Sequence, residues 1–336
     1  MLKHWTALLQ RFSYSPEQSL GDAGAASLAN SNLSALTSLN LKNNNITPTG
    51  AASLAKGNLS SVLTKLLLNE NKIGDAGAAS LANGNLSALT FLSLGYRWDD
   101  DFRSVMSSKL GDAGVASLAN GNLSALTSLH LWCNRIGPDG AASLANGNLG
   151  TLVDLDLGHN VLGHAGVFSL ANGKLSTLTS LCLFDNDLGD EGVTSLVNGN
   201  LSGLTKLELQ YNNIGNEGIT SLANGNLPVL TTLDLTGNEL DATDAFLLAS
   251  GKFSVLTSLD LGSNTIGNDG ATSLANGNLS SLTYLNLENN KIDDTGAASL
   301  VSGNLHALTD LDLEGNNIDD WSIIEGILKG NVKLTL

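Results

Sequence analysis

The chain has 336 residues, 42% hydrophobic but only 4% aromatic, so leucine and alanine must build its core. Its formal net charge of −16 opposes binding to nucleic-acid phosphates or anionic membranes and favours protein partners with neutral or basic surfaces. No apolar run approaches the roughly 18 residues of a membrane span, and the interrupted apolar stretch between Met1 and Phe12 does not read as a signal peptide.

In chain order, Leu2, Trp5, Leu8, Leu9 and Phe12 share one face at helical spacing and predict a capping helix within residues 1–19. A leucine-rich unit then repeats through residues 20–318, with central leucines Leu39, Leu66, Leu92, Leu129, Leu155, Leu181, Leu207, Leu233, Leu259, Leu285 and Leu311. From Leu129 onward the step is 26 residues; the earlier steps are 27, 26 and 37, the last containing an 11-residue insertion at about 98–109. Self-similarity at this period predicts one elongated array of stacked strand–helix units.

Within one unit, Leu204, Leu207 and Leu209 alternate as a short strand with one buried face. Asn212 follows, placed to satisfy backbone groups that the turning chain leaves unpaired. Ten of the eleven repeats carry this asparagine, and Arg97 replaces it in the third. Next comes a helix on which Ile219, Leu222 and Ala223 share a face. Asn216 is placed to cap it, and Asn224 with Gly225 is expected to stop it in left-handed geometry. Asp75, Asp112, Asp190 and the pair Thr47 and Pro48 are expected to cap their own helices in the same way. Strands stack at about 4.8 Å while helices need about 8–10 Å, so the array is expected to curve, with parallel strands on the concave face and short helices outside.

Residues 256–280, LTSLDLGSNTIGNDGATSLANGNLS, resemble the ribonuclease-inhibitor-like class of leucine-rich repeats, an α/β solenoid. That class includes ribonuclease inhibitor, the Ran GTPase-activating protein and the repeat regions of NOD-like receptors. The uniform Gly-Ala-x-Ser-Leu-Ala helices also resemble repeat proteins of bacteria that live inside eukaryotic cells, several of them injected effectors. The resemblance spans roughly Leu20 to Ile318. It implies a protein-binding module, an effector or sensor that is cytoplasmic or delivered into a host cell. It equally admits a GTPase-activating role. The chain closes with a predicted cap at 319–336: a helix from Asp320 to Leu328, then a twelfth strand in which Leu334 and Leu336 face inward.

Function is sought where the repeat is broken. Phe91, Tyr96, His130, Trp132, His159, Phe184 and Tyr211 crowd repeats three to seven, and Trp98 opens the insertion beside them. From repeat seven the same face turns acidic through Glu208, Asp234 and Asp260. Exposed aromatics flanked by charge describe a protein-binding surface, with Trp132 and Phe184 expected to flank a shallow notch. Cys133, His159 and Asp185 share one phase in consecutive repeats, a row that admits zinc or a Cys-His-Asp nucleophile. No catalytic signature accompanies them: the chain has no phosphate loop, dinucleotide fingerprint or HExxH, and no cofactor is expected. Two cysteines, Cys133 and Cys182, are too few for a disulfide framework and are expected to be free thiols. The recurrent Asn-Leu-Ser, as at Asn58, belongs to the repeat consensus rather than to glycosylation.

Overall fold

A computed structural model describes residues 19–33, 35–58, 61–96, 109–320, 322 and 332–335. The predicted N-terminal helix, Arg97, Trp98 with most of the insertion, and the helix expected after Asp320 lie outside the described residues.

The chain falls into two compact units, the first comprising residues 1–162 and 172–178, the second 163–171 and 179–336. In the first, helices α1 (Gly21–Ala29), α2 (Pro48–Lys56), α3 (Gly74–Ala82), α4 (Asp112–Asn120) and α5 (Pro138–Asn146) alternate with strands β1 (Ser38–Asn40), β2 (Lys65–Leu67), β3 (Phe91–Ser93), β4 (Ser128–His130) and β5 (Asp154–Asp156). In the second, α6 (Gly163–Asn172), α7 (Gly189–Asn198), α8 (Asn216–Asn224), α9 (Ala242–Ala249), α10 (Gly267–Asn276) and α11 (Asp294–Ser302) alternate with β6 (Ser180–Cys182), β7 (Lys206–Glu208), β8 (Thr232–Asp234), β9 (Ser258–Asp260), β10 (Tyr284–Asn286) and β11 (Asp310–Asp312), and β12 (Lys333–Thr335) closes the sheet.

Each unit is the α/β solenoid that the period predicts. All the strand pairs are parallel, and the central leucines align: Leu39 with Leu66, Leu66 with Leu92 and Leu92 with Leu129 in the first unit, Leu207 with Leu233 and Leu233 with Leu259 in the second. The 37-residue step between Leu92 and Leu129 therefore leaves the register intact. The expected twelfth strand is present, with Leu334 in register beside Leu311. The core is leucine, isoleucine and alanine: Leu204, Leu207, Leu209 and Ile219 are all within 0% exposure. Burying a leucine-sized side chain stabilises by about 1.5–3 kcal/mol, and here that burial exists only because neighbouring repeats cover one another.

Polar ladders join the repeats. The Asn71 amide donates to Leu68 O and to Leu41 O of the preceding repeat at 2.9 and 2.8 Å. Its Oδ1 accepts from Asn44 N and Ile46 N at 3.0 and 2.9 Å. The pattern recurs at Asn238, which bonds Leu235 O, Leu209 O and the Asn212 amide. These asparagines are buried and fully used, as expected. A second ladder escaped the sequence reading. Where successive repeats carry a threonine ahead of the strand, its hydroxyl donates to the carbonyl of the threonine one repeat earlier, as Thr127 does to Thr90, and Thr231 to Thr205 at 3.0 Å. Val153 occupies this position in the fifth repeat.

The helix caps differ from expectation. Thr47 caps its own helix through Thr49 N, with Pro48 in the first turn. Asp75, Asp112 and Asp190 instead lie inside their helices and accept from the start of the next one, at Gly111 N, Gly137 N and Gly215 N (2.8, 2.6 and 2.7 Å). Asn216 is the first residue of α8 and does not cap it; Gly215 precedes the helix with no side chain to offer. The reason is proximity: repeats stack closely enough for a first-turn carboxylate to reach the neighbouring helix. The glycine after each helix is not left-handed either. Gly225 has φ −69° and ψ 178°, an extended conformation. Space is what these glycines supply, since a Cβ on Gly147 would lie 2.5 Å from Ala119 O.

Candidate functional site

Left-handed geometry recurs at the corner after the strands. Glu70, Cys133, His159, Asp185, Tyr211 and Ser263 have φ between 49° and 60°, each just ahead of the ladder asparagine. These residues share a phase but not an environment: Cys133 is buried while Tyr211 is half exposed. Cys133, His159 and Asp185 keep the shared phase read from the sequence, but a nucleophile or zinc site fails at the cysteine. Cys133 is 1% exposed within the core, closed to any substrate. Among the described residues no three His, Cys, Asp or Glu side chains are placed to hold a metal ion. Cys133 and Cys182 are both free thiols.

On the strand face of the first unit, Phe91 of β3 and His130 of β4 meet edge to face, with centroids 4.9 Å apart at 69°. Lys65 of β2 places its ammonium 4.3 Å over the Phe91 ring. His130 Nε2 lies 2.8 Å from Asp154 Oδ2. That hydrogen bond raises the imidazole pKa above its ordinary value, burial opposes the rise, and the charges of Asp154 and Asp156 add to it. Ser128 Oγ donates to the same carboxylate oxygen at 2.7 Å and lies 3.2 Å from His130 Nε2. The trio has the residue types of a hydrolytic triad without its wiring. In a relay, serine and carboxylate occupy different ring nitrogens; here both meet Nε2, and the serine proton already serves the aspartate. The cluster positions His130 and Asp154 and activates no nucleophile.

Trp132 projects onto this face, half-buried, with its pyrrole edge against Gly95 of the neighbouring repeat. A Cβ at position 95 would stand 2.4 Å from Trp132 Nε1. Tyr96, at the start of the insertion, has the Lys109 ammonium 5.6 Å from its ring centroid.

In the second unit, Phe184 and Tyr211 pack edge to face at 5.8 Å and 77°. Tyr211 is 50% exposed and rests on Gly237, where a Cβ would run into its ring. Beside this pair lies the acidic stretch. Glu208 pairs with Lys206 at 3.0 Å. Gln210 Nε2 donates to Asp234 Oδ2 at 2.5 Å, while its Oε1 is enclosed with no partner among the described residues. The Thr236 hydroxyl lies 2.7 Å from Asp234 Oδ1 and 2.8 Å from Asp260 Oδ1. Burial first, then the Asp260 charge, push the Asp234 carboxyl up to about 6, against hydrogen bonds from Thr236 and Gln210. Tyr284 is raised by burial and by the same surrounding aspartates.

The aspartates also have a structural duty that sequence reasoning missed. Asp156, Asp234, Asp260 and Asp312 each accept from the backbone N–H two residues on, at 2.9–3.0 Å. Asn40 and Asn286 do the same. The signal was available as a recurrent Asp or Asn at the end of these six strands, the residue types that close such turns. Asp234 and Asp260 are thus part of the strand end as well as of its surface.

Two comparisons bear on the array. Residues 33–55, 60–82, 123–145, 151–171, 174–197, 202–223 and 226–249 match a family described as Leucine Rich repeat, and residues 254–318 match a second with the same description. The structure is similar to that of an internalin from Listeria monocytogenes, with a TM-score of 0.52 and 21% identity over 94% of this chain and 93% of that one. No curated protein matches. At this identity the likeness concerns the fold alone.

Proposed function

This chain belongs to the leucine-rich-repeat family, and on that footing we propose that it binds a protein partner on its strand face and catalyses no reaction. The observation that carries this reading is the rarity of aromatics in the chain set against their gathering on that face. Phe91 and Trp132 lie there in the first unit, Phe184 with half-exposed Tyr211 in the second. Such rings are the usual anchors of protein interfaces because they bury much area at little entropic cost. Glu208, Asp234 and Asp260 support a partner with a basic surface. Among the described residues no helix is long and apolar enough to cross a membrane. The uniform helices support the finer reading of a bacterial effector or intracellular sensor, cytoplasmic or delivered into a host cell.

The test is affinity capture with the intact protein, followed by calorimetry of the identified partner. Trp132→Ala is expected to weaken binding by about 2 kcal/mol or more, roughly thirtyfold, with the thermal midpoint little changed. Unaltered binding by this variant, or its unfolding, would overturn the assignment of the working surface.

A further inference from the structure

The residue that enters a helix has one backbone N–H and two places to send it. Gly21, Gly163, Gly189 and Gly267 are left-handed, with φ between 55° and 60°. They donate forward to the ladder asparagine that follows, at Asn44, Asn186, Asn212 and Asn290 O (3.0–3.1 Å). Thr47, Gly111, Gly137, Gly215 and Asp293 are extended instead, with φ between −109° and −101°. Their N–H groups point backward, to a side-chain oxygen in the first turn of the preceding helix: Oδ1 of Asp22, Asp75, Asp112, Asp190 and Asn268, at 2.6–2.9 Å. The position that supplies this oxygen holds Pro48, Pro138, His164 and Ala242 one repeat ahead of the left-handed Gly74, Gly163, Gly189 and Gly267. Asp241 follows the same rule by another route. It is extended, at φ −111°, and its N–H meets Oδ2 of Asp244 at 3.1 Å. Asp244 stands where the other repeats have glycine, so an oxygen of its own helix replaces the one from behind.

The physical choice is simple. A backbone N–H needs an acceptor, and a carboxylate binds it more strongly than a carbonyl does. Where a side-chain oxygen is in reach, the entry stays extended, a conformation open to any residue. Where none is, the N–H turns forward, which requires positive φ and therefore glycine. Accordingly the entries that are not glycine, Thr47, Asp241 and Asp293, are all extended. We propose that the helix entries are two-position toggles set by the first turn of the preceding helix. An oxygen there holds the next entry extended; its absence turns that entry left-handed and starts the helix one residue earlier, on the glycine itself, as in α1, α3, α6, α7 and α10. One repeat thus sets the next through a single hydrogen bond. Thr47 and Gly137 stand outside the choice, because Pro48 and Pro138 confine them to extended backbone.

The experiment is urea unfolding of the intact chain, with alanine at an entry as the probe of its backbone. At Gly267 an added Cβ meets nothing within 4 Å, so Gly267→Ala feels only the left-handed conformation. It is expected to raise the unfolded-to-folded ratio roughly fivefold or more. Ala242→Asp supplies the missing oxygen and is expected to turn Gly267 extended. In that background Gly267→Ala is expected to change the ratio by about twofold at most. The converse pair lies at Gly215, where a Cβ would meet Asp190 Oδ2 at an ordinary 3.4 Å. Gly215→Ala is expected to be mild in the wild type and to raise the ratio roughly fivefold or more after Asp190→Ala. A crystal structure of Asp190→Ala is expected to show Gly215 left-handed, with its N–H on Asn238 O. Equal effects of either alanine with and without its partner change overturn the toggle. So does an extended Gly215 in Asp190→Ala. Should Ala242→Asp fail to fold, the Asp190 and Gly215 pair decides alone.

Discussion

Asp234 and Asp260 share one hydroxyl: Thr236 Oγ1 lies 2.7 Å from the first carboxylate and 2.8 Å from the second. Burial first and the neighbouring Asp260 charge second push Asp234 up to about 6, and the shared hydroxyl only partly offsets them. A carboxyl raised in the folded state binds its proton more tightly there than in the unfolded chain, where 3.8 applies. Its contribution to stability is complete below about 3.8 and is lost as pH rises through about 6.

Asp234→Asn isolates that contribution, since His130 is also raised and adds a trend of the same sign to the wild-type curve. The variant is expected to be more stable than wild type at pH 7, by about 1–3 kcal/mol, and equal to it near pH 4. A turned Gln210 amide also lets the enclosed Oε1 accept from the new Nδ2. Urea midpoints at the two pH values check this, and a constant offset between the proteins would contradict it.

Val153 interrupts the threonine ladder although its backbone keeps the ladder's geometry, donating to Thr127 O at 2.8 Å. Val153→Thr places a hydroxyl where Thr127 already uses one toward Thr90. Val153 is 40% exposed, so the change loses little apolar burial. A gain of about 0.5–1 kcal/mol is expected, visible as a higher denaturation midpoint; a lower midpoint would show that the valine packs better than it bonds.

Asp112 ties α4 to the start of α5 through Gly137 N at 2.6 Å. Asp112→Ala is expected to cost about 0.5–2 kcal/mol and to speed hydrogen exchange at the Gly137 amide. Asp139, in the first turn of α5, is the control: its replacement by alanine loses only the helix-dipole contribution, about 0.3–1 kcal/mol, and leaves Gly137 protected. Equal exchange in the two variants would remove the inter-repeat role.

Gly95→Ala acts on Trp132 without touching it. The new Cβ would meet the indole at 2.4 Å, so the ring must lift from the strand face. Partner binding is expected to fall roughly tenfold, about 1.4 kcal/mol, with far-ultraviolet circular dichroism unchanged. Full affinity would mean that the ring's placement over Gly95 does not matter.

The sequence by itself determined what is periodic. Leu207, Ile219 and Asn212 recur because every repeat must bury the same face and satisfy the same turn, so their phase alone identifies strand, helix and ladder. It also located the aromatics, since Phe91, Trp132 and Tyr211 stand at positions that are mostly polar or glycine in the other repeats.

The tertiary structure decided what depends on the neighbouring repeat. Asp112 has the composition of a cap for its own helix, yet the acceptor it provides is used one repeat later. Cys133 and Tyr211 share a phase and a left-handed backbone, but one thiol is buried at 1% while the phenol ring stands 50% exposed. Nothing in a single unit states that Trp132 will lie on Gly95, or that Thr236 will stand between Asp234 and Asp260. Trp132 and Gly95 are 37 residues apart and Thr236 and Asp260 24 apart, and they meet only because stacked strands bring successive repeats within about 5 Å of one another.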